Sequence, residues 1–297
     1  RRGPTVVLPD ELAYAEVCKL DPDGLQHDAW CDLVPGQPVR LSERVLRVTA
    51  PNPGMMTGPG TNSYFVGDAA SNQWALIDPG PADPQHLDAL RAHAPGPVKW
   101  VICTHTHIDH SPAAGAMAAA FGAQVLGRRP THAHGQDETF EPTREPMHGE
   151  RLLIGRGTTL RVLHTPGHAS NHLCWLLEEE KLLFTGDHVM NGSTVVINPP
   201  DGDMGAYLRA LQAPLAEDLD WFAPGHGFLV ADPHAVVRAL VAHRLKREAK
   251  VVQALQPRHS TTLDDLLPEV YADTPQRLHP VARRSLLAHL LKLQGDG

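Results

Sequence analysis

Four side chains able to hold a metal ion crowd one short segment of this chain, residues 104–110, which reads Thr-His-Thr-His-Ile-Asp-His. His105, His107, Asp109 and His110 follow directly on an apolar run, VKWVICT, and precede a stretch rich in alanine. A loop that leaves a strand end is where such groups converge without burying unpaired backbone. Neutral imidazole and carboxylate are groups that zinc accepts, and two zinc ions need roughly seven protein groups between them. Three more candidates stand at later strand ends: His168 in TPGH, Asp187 in FTGD and His226 in APGH. Glycine precedes each, which lets the chain bend sharply and lets backbone pass close to an ion. With 19 histidines in the chain, some H-x-H pairs arise by chance, and His132-Ala133-His134 is read as one. It lies in an Arg/Pro-rich stretch with no strand before it.

The elements that must position these groups are short strands between turns. Strands are expected over residues 44–50, 63–67, 74–80, 98–104, 160–165, 172–177, 181–186 and 220–225. Ser111 as N-cap, Pro112 at the first helical position and Gly122 as the stop predict a helix between them. From Pro233 the apolar period becomes helical, with Val236, Val237, Leu240, Val241, Leu245, Val252 and Leu255 on one stripe. Shorter helices are expected over residues 263–271 and 281–293. The expected organisation is an N-terminal extension over residues 1–40, a layered α/β domain over 41–232, and a small helical domain over 233–297.

Composition sets the class. Apolar residues make 42% and charged residues 20% of 297, ordinary for a globular protein, and 25 Gly with 27 Pro favour many turns over a helical bundle. The net charge of −8 offers no global attraction to nucleic acid or anionic membrane. Residues 238–297 carry +4 and the rest −12, so the tail is mildly basic. Cys18, Cys31, Cys103 and Cys174 form no C-x-x-C pair; buried free thiols and a reducing, cytoplasmic setting are expected. No apolar stretch approaches the ~20 residues that span a bilayer, and no secretory segment is visible.

H-x-H-x-D-H followed by T-P-G-H, G-D and P-G-H in that order resembles the metallo-β-lactamase superfamily over about residues 60–227. The resemblance implies a four-layered αβ/βα sandwich with the metals at one edge between the sheets. Position by position it implies His105, His107 and His168 on a first zinc, Asp109, His110 and His226 on a second, and Asp187 bridging both; iron or manganese is the alternative metal. Within the superfamily, GPGTNSYFVG, GDHVMNGSTVVINPP, HRLKRE and LLAHLLKLQGDG are similar to a lactamase-like group that includes a single-strand endoribonuclease and fungal carrier-protein thioesterases. The C-terminal helices then correspond to a winged-helix-like domain, although strands of a wing are not evident before Gly297. His168-Ala-Ser-Asn-His172 resembles the glyoxalase II pattern, and His172 is read as supporting a ligand or backbone group by hydrogen bond. His188 stays unassigned.

The expected chemistry is hydrolysis of an ester-type bond by a metal-bridging hydroxide, with Asp109 orienting it and Asp187 holding both ions. Small-molecule thioesters and single-stranded RNA are both open as substrates, and a homodimer is open too. The alternatives are a non-enzymatic module stapled by metal, or a β-lactam or lactone hydrolase.

Overall fold

The computed structural model describes residues 33–191 and 194–296. Most of the expected N-terminal extension, with Cys18 and Cys31, lies outside the described residues. Two six-stranded sheets form the body. The first runs, in spatial order, β1 (Pro38–Arg40), β2 (Val45–Thr49), β3 (Asn62–Asp68), β4 (Gln73–Ile77), β5 (Val98–Ile102) and β6 (Gln124–Leu126). The second is ordered β12 (Val230–Ala231), β11 (Trp221–Pro224), β10 (Leu182–Gly186), β9 (Leu173–Leu177), β8 (Thr159–His164) and β7 (Arg151–Leu153). In the first sheet β1 to β4 pair antiparallel, while β4–β5 and β5–β6 are parallel; in the second only β10–β11 is parallel. β1 falls inside the segment expected to be an extension and pairs as the edge strand of the first sheet.

Three apolar layers separate four layers of secondary structure. Between the sheets lie Tyr64, Val66 and Ile77 against Val162, Trp175 and Phe184. The outer face of the first sheet packs Leu76 and Val101 on Leu90 of α1 (Pro84–His93) and Met117 of α2 (Ala114–Phe121). The outer face of the second packs Leu183 and Phe222 on Tyr207 of α3 (Met204–Ala210) and on Val236, Val237 and Leu240 of α5 (Pro233–Leu255), with α4 (Gln212–Leu215) between. Central strands are thus covered on both faces, which is why every residue of β2, β9 and β10 is buried and β9 reads as a continuous apolar run rather than an alternating one. Beyond them α5, α6 (Leu263–Val270) and α7 (His279–Asp296) share a separate core of Val251, Leu266, Val270 and Leu286.

The helix after the histidine cluster begins later than its sequence predicts. Its N-cap is Ala113, with no side-chain cap, and it starts at Ala114. Ser111 spends its hydroxyl on Asp137 Oδ2 at 2.7 Å instead. The stop is as expected, with Gly122 left-handed at φ 65°. The sequence reading passed over α1, although Asp83 caps it and Pro84 opens it, and over the three-residue strands β6 and β7.

One residue ties the two sheets together where the site lies. Asn62, fully buried at the start of β3, donates from Nδ2 to Pro224 O at 3.1 Å and to Gly227 O at 2.8 Å, and its amide donates to Gly225 O at 2.7 Å. Tyr64 Oη donates to Pro224 O at 2.7 Å beside it. Asn62→Ala leaves two buried carbonyls without this donor and should destabilise the protein by about 1–3 kcal/mol. A urea unfolding midpoint equal to that of the wild type would contradict this.

Candidate metal centre

All seven predicted side chains come together at one edge of the sandwich. The 104–110 loop leaves β5, His168 follows β8, Asp187 follows β10 and His226 follows β11. Three groups of them converge with ligand-type atoms within 4.8 Å of one another: His105, His107 and His168; His105, His110 and Asp187; Asp109, His110 and His226. His132 and His134 are exposed and belong to none of these groups.

Glycine before each candidate does what close approach requires. A Cβ on Gly225 would stand 2.7 Å from Asp187 Oδ1 and 2.8 Å from His110 Cε1. One on Gly186, whose φ is 46°, would stand 2.6 Å from Thr104 Oγ1 and 2.8 Å from His172 Nε2.

Hydrogen bonds from behind fix which ring nitrogen faces inward. Asp78 Oδ2 accepts from the Thr104 hydroxyl at 2.8 Å, so Thr104 Oγ1 is left to accept from His105 Nδ1 at 3.0 Å. His110 Nδ1 donates to the same carboxylate oxygen at 2.9 Å, His168 Nδ1 to Val196 O at 2.7 Å, and His226 Nδ1 to Gly60 O at 3.2 Å. Each of these four rings therefore turns Nε2, with its lone pair, toward the centre. His105 Nε2 and His168 Nε2 both lie 3.0 Å from His107 Nδ1, and His110 Nε2 lies 3.2 Å from His226 Nε2.

The carboxylates sit against those nitrogens. Asp187 Oδ2 is 3.5 Å from His168 Nε2, while Asp187 Oδ1 is 3.4 Å from both His110 Nε2 and His226 Nε2. Asp109 Oδ2 is 3.2 Å from His226 Nε2 and 3.4 Å from His110 Nε2. One aspartate thus faces both groups with different oxygens. Lone pairs and anionic oxygens at these separations repel unless positive charge lies between them, so the donor set fits divalent cations.

The electrostatics state the same demand. Burial lowers the pKa of His110 and of His226, but the carboxylates of Asp109 and Asp187 outweigh it, holding His110 well above the ordinary value and His226 at about 9. Protons there supply positive charge of the kind the donor set demands. Burial works to raise Asp187 and is overcome by His226 and His110, which hold it well below the carboxylate range. On the other side burial dominates: His105 is lowered strongly, with His110 and His107 adding to it, and His107 falls to about 4. Neutral imidazole is the form that binds a cation.

His172 does not join the converging groups. Its Nε2 accepts the Asp187 amide at 3.1 Å, its Nδ1 donates to Thr165 Oγ1 at 2.9 Å, and its ring stacks on that of His105 at 5.0 Å. His188 is buried between the rings of His172 and Tyr207, and burial lowers its pKa to about 3.

Sequence reasoning missed several supports. Asp78 is buried, sits at φ 48° and also accepts the Thr104 amide at 2.7 Å. Its signal was available, because Asp78-Pro79-Gly80 ends β4 in the same strand–turn style as the candidate ligands. Asp201 and Gln136 carried no local signal. Gln136 bridges from the Thr106 hydroxyl (2.7 Å) to Asp201 (3.0 Å), and Asp201 also accepts from Ser170 beside His168. Asp78→Ala removes the acceptor that orients His110 and, through Thr104, His105. Metal affinity should fall about 10–100-fold in a chelator competition; unchanged affinity would show that packing alone orients the rings.

Residues 56–226 match the metallo-beta-lactamase superfamily, and residues 262–297 match the beta-lactamase associated winged helix domain. The described part of that second match is helical. An atrochrysone carboxyl ACP thioesterase of Aspergillus chevalieri is 31% identical over 271 residues, covering 86% of this chain and 83% of that protein. A beta-lactamase-like protein 2 homolog of Drosophila melanogaster is 29% identical, covering 87% and 90%. Among solved structures, a beta-lactamase domain protein from Burkholderia ambifaria superposes with a TM-score of 0.76 at 20% identity, over 91% of this chain and 94% of that one. A metallo-beta-lactamase family protein from Thermus thermophilus gives 0.70 at 23% identity, over 87% and 95%. The chain belongs to the metallo-β-lactamase superfamily and is one of its hydrolases, with a winged-helix-type C-terminal domain, rather than a module merely stapled by metal.

Proposed function

We propose that this chain hydrolyses thioesters at a centre of two zinc ions, held by His105, His107 and His168 on one side and by Asp109, His110 and His226 on the other, with Asp187 shared. The observation that carries the two-ion reading is the inward turn of Nε2 on four rings around an aspartate that addresses both groups. Iron or manganese would suit the same nitrogen and oxygen donors. Divalent cations held by these residues would make a water acidic enough to attack near neutral pH and would polarise a carbonyl oxygen.

The chain's own groups divide the remaining work. Burial tends to raise the Asp109 carboxyl, but His110 and His226 beside it keep it ionised, so it can accept a hydrogen bond from the attacking water and orient it. His172 holds the Asp187 backbone, and Asp78 holds His110. The histidine that follows Asp187 in sequence is no ready proton donor for a leaving group. His188, at about 3 and fully buried, is neutral. That suits a thiol, whose pKa of about 8.5 lets it depart as thiolate near neutral pH, better than an alkoxide.

Two further points favour thioester over single-stranded RNA. Relatives similar along most of the chain are named as carrier-protein thioesterases. The exposed large apolar side chains among the described residues include no aromatic ring on which a base could stack, and the net charge is −8. Nothing among the described residues supports a homodimer, and no helix there is long and apolar enough to cross a membrane.

A metal analysis with a panel of thioester, phosphodiester, lactone and β-lactam substrates tests the proposal. Thioester turnover should dominate, and Asp187→Ala should lower both bound metal and turnover at least about a hundredfold. Turnover that persists in Asp187→Ala after complete metal loss would overturn it. Salt-sensitive RNA cleavage without thioester turnover would move the assignment to phosphodiesters.

A further inference from the structure

A cavity of about 170 Å³ lies between the metal centre and the C-terminal helices. Its lining includes His168 and Asp187 from the centre, Met190, Leu278 and Val281 along its length, and Arg244 of α5. Met55 and Met56 also line it and are exposed, Met55 at 65%. At ~30 Å³ for each water-sized unit, it holds on the order of six heavy atoms. That enclosed space suits a short acyl chain.

Arg244 lines a cavity of mixed character, with His243, Arg247, Thr274 and Ser285 beside its apolar side chains, and stands out there for want of an anion. Only 4% of it is exposed, and no carboxylate among the described residues pairs with it. One guanidinium nitrogen donates to Val195 O and the group lies over the Tyr207 ring at 5.5 Å, yet its Nε is buried without a hydrogen-bond partner. Arg247, which also lines the cavity, is already neutralised by Asp273 at 2.7 Å. Leaving a buried cation without an anion is costly, and a guanidinium offers a carboxylate several donors at once.

We propose that this cavity receives the acyl part of the substrate and that Arg244 selects acyl chains ending in a carboxylate, so the preferred substrates are thioesters of short dicarboxylic acids. The thioester carbonyl then lies at His168 and Asp187 while the distal carboxylate meets Arg244, with the methylenes against Met190, Leu278 and Val281. This rests on the thioesterase reading above and narrows it to one acyl class.

N-acetylcysteamine thioesters of adipic and hexanoic acid test it, since their leaving group is uncharged and their chains have equal length. The wild type should favour the adipoyl thioester in kcat/KM at least about tenfold, and Arg244→Met should erase that ratio. Arg244→Lys should restore part of it. Val281→Trp, which fills the cavity, should raise KM for both six-carbon substrates relative to the acetyl thioester. Calorimetry of adipate against hexanoate on the wild type and Arg244→Met gives a second readout independent of turnover. Adipate should bind at least about tenfold more tightly to the wild type only. Equal kcat/KM for the two thioesters in the wild type, or a ratio unchanged in a folded Arg244→Met, would overturn the inference and leave Arg244 as a strut for the Val195 loop. Hydrolysis of neither thioester, together with selective adipate binding, would instead overturn the thioesterase reading while keeping the pocket.

Discussion

Seven polar side chains pressed to within 3.5 Å of their neighbours, five with ring nitrogens and two with ionised carboxyls, cannot rest together without positive charge among them. That mutual repulsion is the constraint around which the rest is arranged. A flexible set of the same residues would relieve it by rotating outward. Here Asp78, Val196 O, Gly60 O and Thr165 hold the rings and backbone from behind, so the groups stay converged and the relief must come from positive charge placed among them, as protons or as metal ions.

The cost of that arrangement is met by the sandwich. No single strand could present seven groups to one point, but loops leaving β5, β8, β10 and β11 all open at one edge. Asn62 and Tyr64 pin the β11 end to the first sheet through Pro224, Gly225 and Gly227. His226 is thereby fixed to the sheet that carries the histidine cluster, although it belongs to the other. Gly225 and Gly186 permit the approach, because any Cβ at either position would occupy space that the side chains of the centre use.

What could be read from sequence follows from locality. His105, His107, Asp109 and His110 announce themselves within six positions, and His168, Asp187 and His226 each carry a strand–Gly signature, so both the fold class and the converging set were legible. Asn62 and Gln136 were not, because their partners lie 162 and 65 residues away and neither has a local pattern. Ser111 misled for a related reason. Its cap-like position was genuine, but a tertiary bond to Asp137 outcompeted the local one, and the helix started at Ala114 rather than Pro112. Short strands such as β6 and β7 have too few residues to show a period, and they exist because neighbours template them.

The C-terminal helices are more than a cover for the second sheet. Val196 O is the acceptor that sets the His168 ring, and the loop carrying it is held on both sides from this region. Arg244 of α5 donates to Val195 O, and Ile197 N donates to Ser285 Oγ of α7 at 3.4 Å. Both helices therefore reach the centre through three consecutive residues, and a shift of α5 or α7 would be felt first at His168. The same helices wall the cavity beside Asp187. Orientation of one ring and shape of the adjoining pocket thus share a single support in α5 and in α7, the latter within the winged-helix match, although neither helix places a side chain in the converging set.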